Sequence, residues 1–285
     1  MTGRRQLVEE KLKDFLEEDI GMGDITSIAL VDEDQQGRAR LYFREDGVAA
    51  GLREAGMVFN LLGCDVKPHR KDGEMVQEGQ TLIEVEGSVR ALLAGERTVL
   101  NIVGRMSGIA TRVAEAQRVA SEANPGVRVA ATRKTVPGLR DLDKRAVELG
   151  GGDTHRFRLD DCVLIKDNHL ALVPSIAEAV GRARDRVSFT KKIEVEVRSL
   201  EGALEAAEAG ADIVMFDNMP PGEICISLDG LNERGLREGR LFEASGGITL
   251  SNLADYAASG VDVVSMGSLT HSVRSLNVKL EIEMV

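Results

Sequence analysis

The chain has 285 residues, 43% of them apolar and 3% aromatic, with no tryptophan and a formal net charge of −11. That is a globular composition with room for one large domain or two ordinary ones, at roughly 150 residues each. Its acidity and few aromatic rings argue against nucleic acid as the main partner, because phosphate backbones are held by clustered Lys and Arg and bases by stacking rings.

The opening MTGRRQLVEEKLKDFLEED is charged throughout and lacks the apolar core of a signal peptide, and no later apolar run approaches the ~20 residues that span a bilayer. GRARLYFRED alternates as a half-buried strand, and REAGMVFNLLG reads as a short helix stopped by Gly63. KDGEMVQEGQTLIEVEGSVRALL sets short strands between glycine turns, as in a biotinyl or lipoyl carrier. Such a carrier presents a lysine on a hairpin tip, yet none occurs from residue 72 to 133, so a structural β-element is the better reading. From Leu92 to about Ala123, Val99, Ile102, Val103, Met106, Ile109, Val113 and Ala116 recur at helical spacing, with Arg97 and Asn101 off the stripe. Gly104 and Gly108 cost about 1 kcal/mol each against alanine in a helix; they mark close packing against a neighbour or a break between two helices.

After Pro125 the strand-like segments VRVAAT, CVLIKD, KIEVEV, DIVMFD, LFEAS and VDVVSMG end near residues 132, 167, 197, 217, 245 and 267. Most alternate with helical patterns such as LVPSIAEAVGRARD, SLEGALEAAEAGA and TLSNLADYAASG, which calls for a parallel sheet covered by helices. Roughly 160 residues are available, against about 250 for an eight-fold barrel. The predicted fold is therefore α/β: an N-terminal α/β (α+β) domain over 1–110, with the tail 272–285 packing back on it, joined to an incomplete six- or seven-stranded β/α barrel over 111–271. Cys64, Cys162 and Cys225 are far apart and form no CxxC pair, so neither a disulfide framework nor a zinc site is indicated, and a reducing cytoplasm is the expected setting.

The polar residues of the second half gather at strand ends, where β/α barrels build their sites. They are Thr132, Arg133 and Lys134; Lys166; Glu196; Asp217 and Asn218; Ser245, Gly246 and Gly247; and Gly267 and Ser268. From Thr132 to His169 eight Lys/Arg face seven Asp/Glu, a balance of +1 that leaves −12 for the rest. GGGDTHR (150–156) reads as bare backbone beside His155 and Arg156, a loop for holding an anion. SGGI and MGS expose backbone N–H groups, and a helix start expected behind each would make a phosphate site. Glu196 and Asp217 suit a divalent cation or sugar hydroxyls. Arg133, Lys134, His155, Arg156 and Lys166 suit a small polyanion, since arginine grips carboxylates with two hydrogen bonds.

In this order ATRKTVPGLR, KRAVELGGGDTHR, VLIKDNH, IEVEV, MFDN, EASGGI and SLTHS resemble the quinolinate phosphoribosyltransferases, the carboxylating nicotinate-nucleotide pyrophosphorylases. GDITS (23–27) and ERTVLNIVGRMSGIAT (96–111) extend the resemblance to nearly the whole chain. It implies a dimer or higher homo-oligomer with sites between subunits. It also implies conversion of quinolinate and phosphoribosyl pyrophosphate, with magnesium, into nicotinate mononucleotide, pyrophosphate and carbon dioxide. By position, Arg133, His155 and Arg156 would hold the quinolinate carboxylates, with Arg97 reaching in from the partner chain. Lys134 and Lys166 would meet carboxylate or pyrophosphate oxygens, while Glu196 and Asp217 would face the ribose hydroxyls and magnesium. Ser245, Gly246, Gly247, Gly267 and Ser268 would hold the phosphate end, with His271 nearby, and Thr132 and Met266 complete the implied substrate-binding set. Lys134, Glu196 and Asp217 would carry catalysis. A molybdenum-transport-associated paralogue of the same fold, a nicotinate phosphoribosyltransferase and a non-catalytic phosphate sensor are the alternatives. The RKT…GGG…HR…KDNH set with Glu196 and Asp217 favours the quinolinate enzyme.

Overall fold

The computed structural model describes residues 2–284, which fall into two compact units: residues up to 112 together with those from 273 on, and residues 113–272. Among the described residues no helix is long and apolar enough to cross a membrane.

The first unit starts with helix α1 (Thr2–Ile20) and the short α2 (Ile25–Leu30). Asp24 of the GDITS motif caps α2, its Oδ1 accepting from the Thr26 and Ser27 N–H groups, each at 3.1 Å. Strand β1 (Gln36–Phe43) keeps the period of two: Ala39, Leu41 and Phe43 are fully buried while the residues between them are not. There follow β2 (Gly47–Val48), α3 (Leu52–Leu61), β3 (Asp65–Pro68), β4 (Met75–Val76) and β5 (Thr81–Ser88). The C-terminal strand Val278–Met284, β1, β5 and β3 form an antiparallel sheet in that order, and β2 pairs with β4 alone.

Helix α4 (Val89–Ala123) runs unbroken through both glycines, and its whole apolar stripe from Val99 to Ala116 is buried. The glycines serve close packing. A Cβ at position 108 would stand 2.1 Å from the Arg274 carbonyl oxygen, and at position 104 it would stand 3.1 Å from that of Leu276. The Leu276 N–H donates to the Gly104 carbonyl at 2.9 Å.

The second unit is a run of βα units: β6 (Arg128–Ala130), α5 (Arg140–Leu149), β7 (Val163–Ile165), α6 (Asp167–Leu170), α7 (Ile176–Arg186), β8 (Ile193–Val197), α8 (Leu200–Glu208), β9 (Ile213–Asp217), α9 (Pro221–Glu233), β10 (Leu241–Ser245), α10 (Leu253–Ala258), β11 (Val263–Ser265) and α11 (Ser268–His271). The six strands form one parallel sheet, β6-β11-β10-β9-β8-β7. Val195, Val214, Phe216, Phe242, Ala244 and Val264 are fully buried, as befits strands covered on both faces. A single parallel bridge, Ala130 to Asp153, continues the sheet on the free side of β6, and β6 does not meet β7. The sheet is thus an unclosed barrel of six strands with one vestigial bridge, within the predicted six or seven.

Candidate active site at the strand ends

Parallel register lines up the ends of the strands. Ala130 pairs with Ser265, Ser265 with Ser245, and Ser245 with Asp217. Each chain leaving the sheet therefore delivers its next residues to the same edge. Lys166, just after β7, makes an ion pair with Glu196 near the end of β8. Asp217, ending β9, accepts from Arg198 Nε at 3.0 Å and Nη2 at 2.9 Å, and Arg198 Nη2 also reaches Asp167 at 3.2 Å. Asn218, at a left-handed φ of 56°, donates from Nδ2 to Asp217 Oδ1 at 2.9 Å. Glu196, Asp217, Arg198 and Asp167 border a cavity of about 290 Å³.

Lys134 comes to the β11 end. Thr270 Oγ1 donates to the Lys134 carbonyl at 2.9 Å, and the Lys134 N–H donates to Thr132 Oγ1 at 3.1 Å. A Cβ on Gly267 would lie 2.9 Å from Lys134 Cδ and 3.2 Å from His271 Cδ2, so Lys134, Gly267 and His271 share one spot. Gly246 takes φ 96° and leaves no room for a side chain, since its Cβ would stand 2.4 Å from Asn218 Oδ1. Met266 is placed otherwise than the sequence implies: its side chain is buried and its N–H donates to the Ala130 carbonyl at 2.9 Å, in the sheet ladder. A helix start directly behind SGGI is also absent. α10 begins only at Leu253, after a turn in which the Thr249 N–H donates to Asn252 Oδ1 at 2.8 Å. Ser268 does begin α11, a single turn. Arg97 lies exposed on α4 in the first unit.

The GGG run also differs from expectation. Gly150 ends α5, Gly151 takes φ 83°, and a Cβ on Gly152 would stand 2.6 Å from Val113 Cγ1. These glycines finish a helix and pack closely instead of baring N–H groups to an anion. The loop that follows is pinned throughout. The Asp153 N–H donates to the Val129 carbonyl at 2.8 Å, and the buried Lys144 ammonium donates to the Thr154 carbonyl. Burial, then Arg140, brings the Lys144 pKa down to about 8. The Arg140 Nη1 donates to the Phe157 carbonyl at 3.1 Å, and Asp161 accepts from the Phe157 and Arg158 N–H groups.

Arg133 is the group with most to gain from a ligand. Its Nε is buried without a hydrogen-bond partner among the described residues. Burial, then the like charges of Arg156 and Arg140, lowers its pKa from the ordinary value. Three guanidinium groups held this close favour an anion with several oxygens.

Two glutamates absent from the sequence expectation lie under His155. Glu194 on β8 and Glu243 on β10 are fully or almost fully buried, and with the His155 ring they bring three ligand-type atoms within 4.8 Å of one another. IEVEV carried the signal, for alternation puts Glu194 on the same face of β8 as Glu196. Burial raises the Glu194 pKa, opposed by His155 and aided by Glu243. Electrostatics and geometry at His155 pull apart. Burial disfavours its charged form but both glutamates favour it, and the balance pushes its pKa up to about 10. Yet its Nδ1 accepts the Arg156 N–H at 2.8 Å, which a doubly protonated ring is unable to do. The hydrogen bond fits the neutral ring with its proton on Nε2, facing Glu243 Oε2 at 3.2 Å.

Comparison with known proteins identifies the family of both domains. The family model for the N-terminal domain of quinolinate phosphoribosyl transferase matches residues 24–107, and that for its C-terminal domain matches residues 109–281. A probable nicotinate-nucleotide pyrophosphorylase (carboxylating) of Methanothermobacter thermautotrophicus is 47% identical over 271 residues, 95% of this chain and 97% of that protein. The nicotinate-nucleotide pyrophosphorylase (carboxylating) of Homo sapiens is 39% identical over 254 residues, 89% of this chain and 85% of its own. The crystal structure of NadC from Streptococcus pyogenes superposes with a TM-score of 0.91 at 37% identity, covering 98% of this chain and 97% of that one. A chain that carries both domains in order, at such identity and with this open barrel, belongs to the quinolinate phosphoribosyl transferase family.

Proposed function

We propose that this protein transfers the phosphoribosyl group of phosphoribosyl pyrophosphate to quinolinate with loss of carbon dioxide, giving nicotinate mononucleotide and pyrophosphate for NAD synthesis. The observation that carries the reading is Arg133, a guanidinium with a buried, unbonded Nε, set beside Arg156 and Arg140 in a protein of net charge −11. A planar dicarboxylate offers acceptors to Arg133, whose Nε has none among the described residues. Arg133 and Arg156 hold quinolinate; Lys134, Lys166, Ser245, Gly246, Gly247, Gly267, Ser268 and His271 hold the sugar phosphates.

The reaction follows from charge placement. The bond from ribose C1 to pyrophosphate breaks with its electron pair on the leaving oxygen, and C1 becomes oxocarbenium-like. Glu196 and Asp217 stabilise that positive charge, while Lys134 and Lys166 stabilise the leaving group. The pyridine nitrogen lone pair forms the new bond to C1, so no protein nucleophile is needed, and the arginines contribute by alignment. The quaternised ring then takes the electron pair of the breaking carbon–carboxylate bond, carbon dioxide leaves, and the ring carbon gains a proton. Glu196 and Asp217, carboxylates on adjacent strands, fit magnesium, which prefers all-oxygen surroundings and binds through one or two carboxylates plus substrate phosphates. Bound there, it supplies neutralisation of the pyrophosphate charge.

The test is product formation by the purified protein with quinolinate, phosphoribosyl pyrophosphate and magnesium, following carbon dioxide and nicotinate mononucleotide together. Nicotinate in place of quinolinate should give neither product. Failure of both to form from quinolinate, with the protein folded and binding the sugar donor, would overturn the reading. A cytoplasmic setting accompanies it, supported by the free thiols of Cys64, Cys162 and Cys225.

The working form is a homodimer or larger, with the exposed Arg97 crossing to the partner's quinolinate. If so, inactive Arg97→Ala chains mixed with inactive Lys134→Ala chains regain activity in hybrid dimers, toward a quarter of wild type for one restored site in two within half of the dimers. No recovery after confirmed subunit exchange counts against the crossing.

A further inference from the structure

Asp217, at the end of β9, is almost fully taken up by the protein's own donors. Its Oδ2 accepts from Arg198 Nε at 3.0 Å and from Nη2 at 2.9 Å, and its Oδ1 accepts from Asn218 Nδ2 at 2.9 Å. Two N–H groups fill the lone pairs of Oδ2, and what remains open on Oδ1 lies beside a guanidinium charge. Arg198 Nη2 has a second anchor in Asp167 Oδ2 at 3.2 Å. The backbone beneath it is fixed, since Ser199 caps α8 by accepting from the Gly202 N–H at 3.2 Å. The Arg198 side chain is 63% exposed, whereas that of Asp217 is 16% exposed. An exposed arm thus reaches down onto a largely buried carboxylate, and it can leave by rotation about its own bonds. Asp167, Glu196 and Asp217 line one cavity with Arg198. Three carboxylates there attract any cation, and the chain supplies its own in Arg198, as it does for Glu196 in Lys166.

We propose that Arg198 is a latch on Asp217 that competes with magnesium for the carboxylate. It keeps Asp217 from taking up metal alone and yields it when magnesium arrives with the diphosphate of the sugar donor. A guanidinium and a divalent ion on one carboxylate repel each other, so one of them must leave. Magnesium alone has to win that contest with the protein carboxylates only. The donor's diphosphate adds oxygens of its own, and one or two protein carboxylates then suffice. Displaced from Asp217, Arg198 keeps Asp167 as its partner. The proposal rests on Asp217 holding magnesium in the reading above, and it adds a residue that reading does not use.

The test uses manganese(II) as the magnesium probe, with no substrate added, and reads bound metal by electron paramagnetic resonance. Arg198→Ala should bind it about fivefold more tightly than wild type, the upper end for a partly exposed ion pair. Adding Asp217→Asn to Arg198→Ala should remove the gain. Arg184→Ala takes a positive charge from Asp212, just before the opposite end of β9, and should stay within about twofold of wild type. In nitrogen-15 spectra of arginine-labelled wild type, the Arg198 Nε–H signal is identified by its loss in Arg198→Lys. It should be protected from exchange with water and lose that protection when magnesium and phosphoribosyl pyrophosphate are added together. Equal manganese affinity in wild type and Arg198→Ala would overturn the proposal, as would a gain that survives Asp217→Asn. An Nε–H signal that stays protected with magnesium and donor both bound would do the same, and this reading needs no folded alanine variant. If wild type makes no product from quinolinate, the substrate reading fails, while the manganese titration still decides the competition at Asp217.

Discussion

Arg133→Ala is expected to lower kcat/KM for quinolinate by roughly 10²–10⁴ and to leave the protein at least as stable as wild type. Each hydrogen bond between charged partners contributes about 1.5–3 kcal/mol, and a bidentate grip on a carboxylate makes two; 1.4 kcal/mol is tenfold. The second half of the prediction comes from the lowered pKa. Burial and the neighbouring Arg156 and Arg140 make the charged Arg133 side chain less comfortable folded than unfolded. Removing it relieves that repulsion, so the thermal midpoint should hold or rise while activity collapses. Arg133→Lys should recover little, because a point charge does not reproduce the planar fork. Steady-state kinetics in quinolinate, with a calorimetric scan of each variant, checks both halves. Retained kcat/KM, or a lowered midpoint that accounts for the loss, would remove Arg133 from the role.

Glu196→Ala should cut kcat by about 10²–10³, the range for losing a preorganised charge aimed at a transition state. Its ion pair with Lys166 adds little to stability, because the Lys166 side chain is 40% exposed and pairs of that kind contribute about 0–1 kcal/mol. Turnover should therefore fall without a matching drop in thermal midpoint. Lys166→Ala should also lower kcat, and the double variant should fall short of the product of the two effects, since each charge is placed by the other. Near-normal kcat in Glu196→Ala would sink the assignment.

The frame of the molecule was legible because burial leaves a period. Apolar runs of five to seven residues, valine- or isoleucine-bearing in all but LFEAS and each followed by a polar residue or glycine, located the six strands and the edge they share. The stripe on α4 located a continuous helix, but its glycines left two readings open. The choice lay in the Arg274–Leu276 segment, more than 160 positions away along the chain, which packs against them. The site was legible by residue type and less so by role. The GGG run fits an anion loop by composition, but Val113 and the end of α5 use it for packing. Lys144 sits on an otherwise charged helix and gives no sign of burial until Thr154 is found against it. Arg198 is one cation among many in sequence; only the folding of β9 and α6 around it brings Asp217 and Asp167 to its two sides. Glu194 was within reach, since a strand buried on both faces has no cheap place for a glutamate.

The C-terminal strand Val278–Met284 completes the first unit's sheet beside β1. During synthesis the chain must therefore make the whole of residues 113–272 before β1 receives its second neighbour. All the strands of the open barrel are local to that stretch, so it can assemble while β1 still presents a bare edge, the kind of surface on which chains pair wrongly. Synthesis runs at ~5–20 residues per second, and the exposure closes only once Val278–Met284 has been made and has left the ribosome. A released chain cut just before Val278 would keep all six barrel strands and an unfinished sheet.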